Sequence, residues 1–356
     1  MKTLSVRPIS HGCGDLSDYV TALAWSSKGD KFAASSAVGE VRVSNLSGET
    51  VDLKKPDGLA VSALGFSADG QFLAAGGQAG QLTVWSTASD FPVVLTQTHP
   101  GAWIDHLDWN PCRPHLAYGV GSQVQIRDVQ QQSLLAELDF QDSSVLHLAW
   151  SPNATHLAAS GHKGIKVWSS EDWSIDPQLI AVPGASLCTA WSPTGRYLGS
   201  GNLDRTLTVA EWGTPPPWLM QGFPGKVRQL SWASPVSASD SPLLAAACAE
   251  GITVWTRSKA SKGSWQSRVL QHHRRRVNAI AFQPNSQLLA SAGQDGQLGL
   301  WQNGRKLVQS VQVTPEGISA LAWCINRQYL GQYLAVGGSD GTLAILKVST
   351  GKRGFG

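Results

Sequence analysis

Histidine is the first side chain to weigh for chemistry in this chain. Nine are present, and His99, His106, His115, His147, His156 and His162 fall within one stretch. His106 and His147 each stand two residues after an aliphatic, Ile104 and Val145, so they hold equivalent places and could face one another. A zinc centre needs imidazole or thiolate ligands converging at about 2 Å, often from tightly spaced pairs. No ligand pair here has such spacing, so the histidines are read as hydrogen-bonded or surface groups and no metal is expected. A zinc ion or small ligand held by His106 and His147 in a central channel is the alternative. Five cysteines (Cys13, Cys112, Cys188, Cys248, Cys324) are odd in number and widely separated, with no Cys-x-x-Cys pair. They read as reduced thiols, which points to a cytoplasmic protein.

Catalytic patterns give no support for an enzyme. The chain has no His-Glu-x-x-His, no Gly-x-x-x-x-Gly-Lys loop and no dinucleotide fingerprint. Gly76, Gly77 and Gly80 look superficially like a phosphate cradle, but they fit a tight turn between strands better. No cofactor is expected. The opening Met-Lys-Thr-Leu-Ser-Val-Arg-Pro lacks an apolar signal region, and no run of 18 apolar residues exists, so no membrane span is expected.

Charge is more informative. Charged residues make up only 15% of the 356 positions and hydrophobic residues 42%, a composition that supports a core and excludes a charge-driven disordered chain. The formal net charge is +3, yet between Gly251 and Gln294 lie seven basic residues and no acid: Arg257, Lys259, Lys262, Arg268, Arg274, Arg275 and Arg276. The remainder then carries −4. Such a patch suits an acidic protein partner, RNA or phospholipid headgroups. Stacking aromatics are not interleaved with it, so nucleic acid is disfavoured.

The elements that must position these groups are set by a repeat. An aliphatic residue followed by an aromatic, most often five residues on, recurs as Val20…Trp25, Val61…Phe66, Ile104…Trp109, Val145…Trp150, Leu187…Trp191, Val227…Trp232, Val277…Phe282 and Ile318…Trp323. The aromatic anchors are spaced by 41, 43, 41, 41, 41, 50 and 41 residues. After each anchor come a turn such as Ser192-Pro193-Thr194-Gly195, a small-residue strand such as Phe72-Leu-Ala-Ala-Gly76, and a third strand such as Gln81-Leu-Thr-Val-Trp85. A less regular fourth strand precedes the next anchor phrase. Four short strands per 41 residues describe the blade of a β-propeller. The expectation is one all-β domain over residues 1–356, with eight four-stranded blades and seven the alternative. The N-terminal Thr3-Leu-Ser-Val-Arg7 would complete the last blade and remove two exposed edges.

These residues resemble the WD-repeat propeller family over essentially the whole chain. The seventh repeat matches best, through His273, Ser291, Asp295 and Trp301; in the family, residues of these types form a hydrogen-bonded tetrad that ties a blade together. Turn aspartates recur at Asp204 and Asp340, but no third-strand Trp is followed by Asp. The resemblance implies a non-catalytic protein-interaction scaffold that binds through the rim where each fourth strand enters the next first strand. The rim residues this implies are Tyr19, Trp103, Asp105, Lys226, Arg228, Arg275, Arg276 and Asn278, with Arg274 beside them in the basic run.

Ten of the fifteen tryptophans end first strands (25, 109, 150, 191, 232, 323) or third strands (85, 168, 255, 301), where indole punctuates the repeat. Trp103, Trp173, Trp212, Trp218 and Trp265 fall outside those registers. Trp103 is the strongest candidate for partner contact, since strand sterics require no indole there.

Overall fold

A computed structural model describes residues 3–8, 14–141, 143–235, 242–257, 264–324 and 333–351. Among them every regular element is a β-strand. The first repeat shows the plan: Val20–Trp25, Lys31–Ser36, Val41–Asn45 and Thr50–Lys54 form one antiparallel sheet in chain order. The first strands of the eight repeats touch one another in sequence, and the last, Ile318–Trp323, returns to Val20–Trp25. They make the inner wall of a closed propeller.

Closure is specific. Thr3–Pro8 pairs antiparallel with Leu343–Gly351, from Thr3 opposite Gly351 to Pro8 opposite Leu346, and supplies the fourth strand of the last sheet. Ser319 Oγ donates to Val20 O at 2.7 Å, and Trp25 Nε1 donates to Ala322 O at 2.9 Å. Both bonds join the end of the chain to its beginning. A closed ring leaves no open first or last sheet to recruit another chain.

Strand hydrogen bonds group the elements into seven sheets, six of four strands and one of six. This corrects the expectation of eight four-stranded blades in favour of seven, the alternative. The fourth and fifth repeats share the six-stranded sheet because two 14-residue segments, His156–Ser169 and Gln178–Trp191, stay extended where other repeats break. His162 pairs with Ala185 across that junction, so the ladder passes from one repeat to the next. Ser170 N donates to Thr155 O at 2.9 Å and links the two ends of the first of these segments.

Packing explains the residue types. Second strands are covered on both faces by neighbouring repeats, so they carry Ala, Ser and Gly; Ala33, Ala34, Ala74, Ala158, Ala159, Ala245 and Ala290 are fully buried. A Cβ on Gly76 would lie 2.5 Å from Ile104 Cγ2, and one on Gly337 would lie 2.5 Å from Val20 Cγ1. In both places glycine seats the anchor aliphatic of the next repeat. Fourth strands, such as Ser133–Asp139, form the exposed outer edge.

The anchor indoles add a belt. Trp109 Nε1 donates to Gly65 O (2.9 Å), Trp191 to Ala149 O (3.2 Å), Trp232 to Ala190 O (3.0 Å) and Trp323 to Ala281 O (3.0 Å). Each acceptor immediately precedes the anchor of the previous repeat. With Trp25 on Ala322 O the bond occurs five times, which shows why tryptophan, with its single N–H, recurs where phenylalanine could fill the volume.

Candidate protein-docking face

The position just before each anchor aliphatic is where a fourth strand has crossed to the next first strand. Around the ring it holds Tyr19, Ala60, Trp103, Ser144, Ser186, Lys226, Arg276 and Gly317. Four are small, two aromatic and two cationic. Tyr19 is 39% exposed and Trp103 58% exposed, unusual for rings of this size, and Lys226 and Arg276 are exposed as well.

Four predicted residues come together. Lys226, Arg228, Arg275 and Arg276 line one hollow of about 620 Å³, with Glu250 and Gln294 on its wall. Arg274 lies on an adjoining hollow of about 520 Å³ with His272, Arg275 and Asp295. Burial pushes the Tyr19 phenol upward, and the positive charge of Arg276 opposes that shift. Trp103 and the half-buried Asp105 belong to the third repeat, apart from this group. Asn278 is differently employed: its amide Nδ2 donates to Ile318 O at 2.9 Å and ties the seventh repeat to the eighth. Thr21 Oγ1 bonds Val61 O, and Ser319 Oγ bonds Val20 O, from the same register. Lys259 and Lys262 lie outside the described residues.

Beneath the arginine run, four side chains are linked in series. His273 Nδ1 lies 3.1 Å from Asp295 Oδ1, His273 Nε2 lies 2.9 Å from Ser291 Oγ, and Trp301 Nε1 donates to the same Oγ at 2.9 Å. Asp295 Oδ2 also accepts Arg274 N at 2.8 Å. Burial works against the Asp295 carboxylate, but bonds from Arg274 N, His273 and Gln297 N hold it below the usual range. Comparable ties occur elsewhere with other residues: Asp340 accepts Thr314 Oγ1 at 2.7 Å, and Glu40 accepts Ser17 N, Ser17 Oγ and Ser36 Oγ. Asp204 reaches only to Thr206 Oγ1, its own turn, at 2.8 Å.

Three histidines find ordinary partners, whereas the buried His147 Nδ1 finds no hydrogen-bond partner among the described residues. His99 bonds Tyr118 Oη at 3.3 Å, His115 lies 3.5 Å from Asp128, and His156 meets Thr155 Oγ1 at 2.8 Å and the Trp212 ring edge-on at 4.8 Å. His106 and His147 do approach, with ring centroids 5.1 Å apart. Burial, then the His106 charge, lowers the His147 imidazole to about 3, and burial lowers His106 against the pull of Asp105. Among the described residues no three His, Cys, Asp or Glu side chains converge as a metal requires.

Off-register tryptophans separate cleanly. Trp173 packs edge-on against Trp150 (5.9 Å), and Trp212 against Trp191 (5.2 Å). Trp265 meets Tyr197 at 5.7 Å, and Trp218 lies under the Arg257 guanidinium at 4.6 Å. Arg257 is itself engaged, through Glu211 at 3.0 Å and Tyr197 Oη at 2.7 Å. Among the described residues Trp103 alone of these five makes no ring contact. Sequence reasoning missed Glu250 and Gln294; both stand in turns that follow second strands, and that placement would have put them on this face. The string Gly337-Gly338-Ser339-Asp340-Gly341 spells Gly-x-Ser-x-Gly but sits in a strand-to-strand turn, with Ser339 N bonded to Gly317 O at 2.8 Å. A nucleophile elbow needs a strand-to-helix turn.

Known proteins match this architecture. The family model described as "WD domain, G-beta repeat" matches residues 52–86, 132–169 and 264–302. "Protein CIA1" of Arabidopsis thaliana is 33% identical over 89 residues, covering 24% of this chain and 25% of that protein. "WD repeat-containing protein 90" of Homo sapiens is 35% identical over 101 residues, covering 27% of this chain and 6% of that protein. The chain thus matches a quarter or less of these relatives' length. Among solved structures, Chaetomium thermophilum Sqt1, bound there to the N-terminus of ribosomal protein L10, superposes with a TM-score of 0.77 at 18% identity. That superposition covers 98% of this chain and 100% of the other, and shows the fold. With matched repeats in three places, a closed ring of seven antiparallel sheets and an indole belt around it, the chain is a WD-repeat β-propeller protein.

Proposed function

We propose that the chain is a non-catalytic scaffold that docks protein partners on the face carrying Trp103, Tyr19 and the basic hollow. One observation carries this reading: Lys226, Arg228, Arg274, Arg275 and Arg276 form no ion pair among the described residues. Lysine and arginine ion pairs form elsewhere, joining Arg42 to Asp52, Lys54 to Asp57, and Arg196 and Arg257 to Glu211. Five neighbouring unpaired cations repel one another, so a partner of acidic character relieves that repulsion on binding. Trp103 adds an exposed indole, the side chain most enriched in binding hot spots. That Sqt1 is seen bound to a protein N-terminus supports peptide docking as a use of this fold. Exposed Cys112 and buried Cys188 and Cys248 stand in no disulfide, which supports work in a reducing, cytoplasmic setting. Among the described residues no helix is long and apolar enough to cross a membrane.

The test reverses charge at Arg274, Arg275 and Arg276 together, and separately makes Trp103→Ala. Partner capture from the source organism's extract is then quantified against the parent chain. Each variant is expected to lose at least about fivefold in captured partner, with its thermal midpoint unchanged because all four side chains are exposed. Capture equal to the parent by both variants would sink the reading.

A further inference from the structure

The hollow at the sixth and seventh repeats has a shape that narrows its ligand. Its lining comes from four separate segments, which bring Lys226 and Arg228, then Glu250, then Arg275 and Arg276, then Gln294 around one space of about 620 Å³. Four positive charges and one negative leave +3. We propose that this hollow binds a phosphate monoester carried on a partner peptide, a phosphoserine or phosphothreonine side chain; the proposal rests on the reading of this face as a protein-docking surface.

Convergence favours a compact anion over an extended row of acids. A phosphoryl group carries a charge of about −1.5 to −2 at pH 7 and three strong acceptor oxygens. A carboxylate offers one charge and two oxygens, too few for three guanidinium forks of five N–H donors each. The volume exceeds that of a phosphoryl group, which leaves room for the peptide backbone on either side. The cationic loop is also set before any ligand arrives. Asp295 holds Arg274 N at 2.8 Å, Gln294 N donates to Arg276 O at 2.8 Å, and Val277 N donates to Ala249 O at 2.8 Å. The series His273–Ser291–Trp301 fixes Asp295 from below. Ordering cost is therefore small when the anion binds.

Fluorescence polarisation of the full chain with a fluorescein-labelled Gly-Ala-Ala-phosphoserine-Ala-Ala-Gly peptide tests this, with the serine and glutamate peptides alongside. The phosphoserine peptide is expected to bind at least about tenfold tighter than either counterpart. Arg275→Gln and Arg276→Gln should each weaken it about five- to tenfold, and Lys28→Gln, an exposed turn lysine elsewhere, should not. Melting curves establish that the variants are folded, and Lys226→Gln gives a second reading should either arginine variant melt early. Equal affinity for the glutamate and phosphoserine peptides would overturn the phosphoryl assignment while leaving acidic docking intact. Absence of phosphoserine-peptide binding would also overturn it, with partner capture by the charge-reversed chain still deciding the docking reading. Displacement by inorganic phosphate at the same concentration as by unlabelled phosphoserine peptide would overturn the peptide source and assign the hollow to free phosphate.

Discussion

Asp108 tests how the inner wall tolerates charge. It precedes the anchor Trp109, where the other repeats carry Ala24, Gly65, Ala149, Ala190, Ser231, Ala281 and Ala322. Its carboxylate accepts Trp150 N at 2.7 Å. Burial pushes its carboxyl from 3.8 up to about 7, against the pull of the Trp150 and Trp109 amides. A folded value above the unfolded one means that the fold favours the neutral acid. That stabilisation is full below about pH 4 and is lost as pH rises through 7. The full displacement corresponds to about 4 kcal/mol. Asp108 is only partly buried as a residue, and screening by water reduces this, so a loss of about 2 kcal/mol between pH 4.5 and pH 8 is expected. Asp108→Asn keeps an acceptor for Trp150 N and cannot ionise. Urea unfolding should find the variant within about 0.5 kcal/mol of the parent at pH 4.5 and more stable by about 2 kcal/mol at pH 8. His147, lowered by burial, contributes stability present above its ordinary 6.5 and lost as pH falls toward 3, but it is common to both proteins and cancels in the difference. Parallel pH curves for parent and variant would refute the burial argument.

Other expectations are simpler. Trp232→Phe removes a bond to Ala190 O, whereas Trp150→Phe removes an Nε1 that has no partner, so the first should cost about 1 kcal/mol more in urea unfolding. Gly337→Ala places a Cβ 2.5 Å from Val20 Cγ1 where the ring closes, and should destabilise by about 1–3 kcal/mol, read as a lower denaturation midpoint. Ser291→Ala strands both His273 Nε2 and Trp301 Nε1 and should cost about 2 kcal/mol, with faster amide exchange at Arg274. Elemental analysis of purified chain should find zinc well below one equivalent; stoichiometric zinc lost with His106→Ala and His147→Ala would revive the channel-ligand reading.

Much of the fold is legible because propeller strands are short and local. The anchor phrase fixes each first strand, and the turn chemistry of Ser-Pro-Thr-Gly at 192–195 fixes the hairpin, with Gly195 N bonded to Ser192 O at 2.8 Å. Sheet count was harder to read, since whether a ladder breaks between repeats depends on pairings such as His162 with Ala185, which no local pattern encodes. The site shows the same divide. The exposure of Trp103 and the convergence of Lys226, Arg228, Arg275 and Arg276 follow from register. That Asn278 is spent on Ile318 O, and that Glu250 stands among the cations, depends on which loops face each other across repeats.

The seventh repeat links these points. Its tetrad was read from sequence as a blade tie, yet Asp295 bonds the backbone of Arg274, so the same network also fixes the loop that bears the unpaired arginines. Other repeats hold their turns with different residues, such as Thr314 on Asp340, and their equivalent loops carry no cation run. Holding like charges close together costs free energy that a mobile loop would shed by spreading them apart. Rigidity beneath Arg274–Arg276 therefore lets that repulsion persist in the folded chain, and the most complete tetrad stands where that demand is greatest.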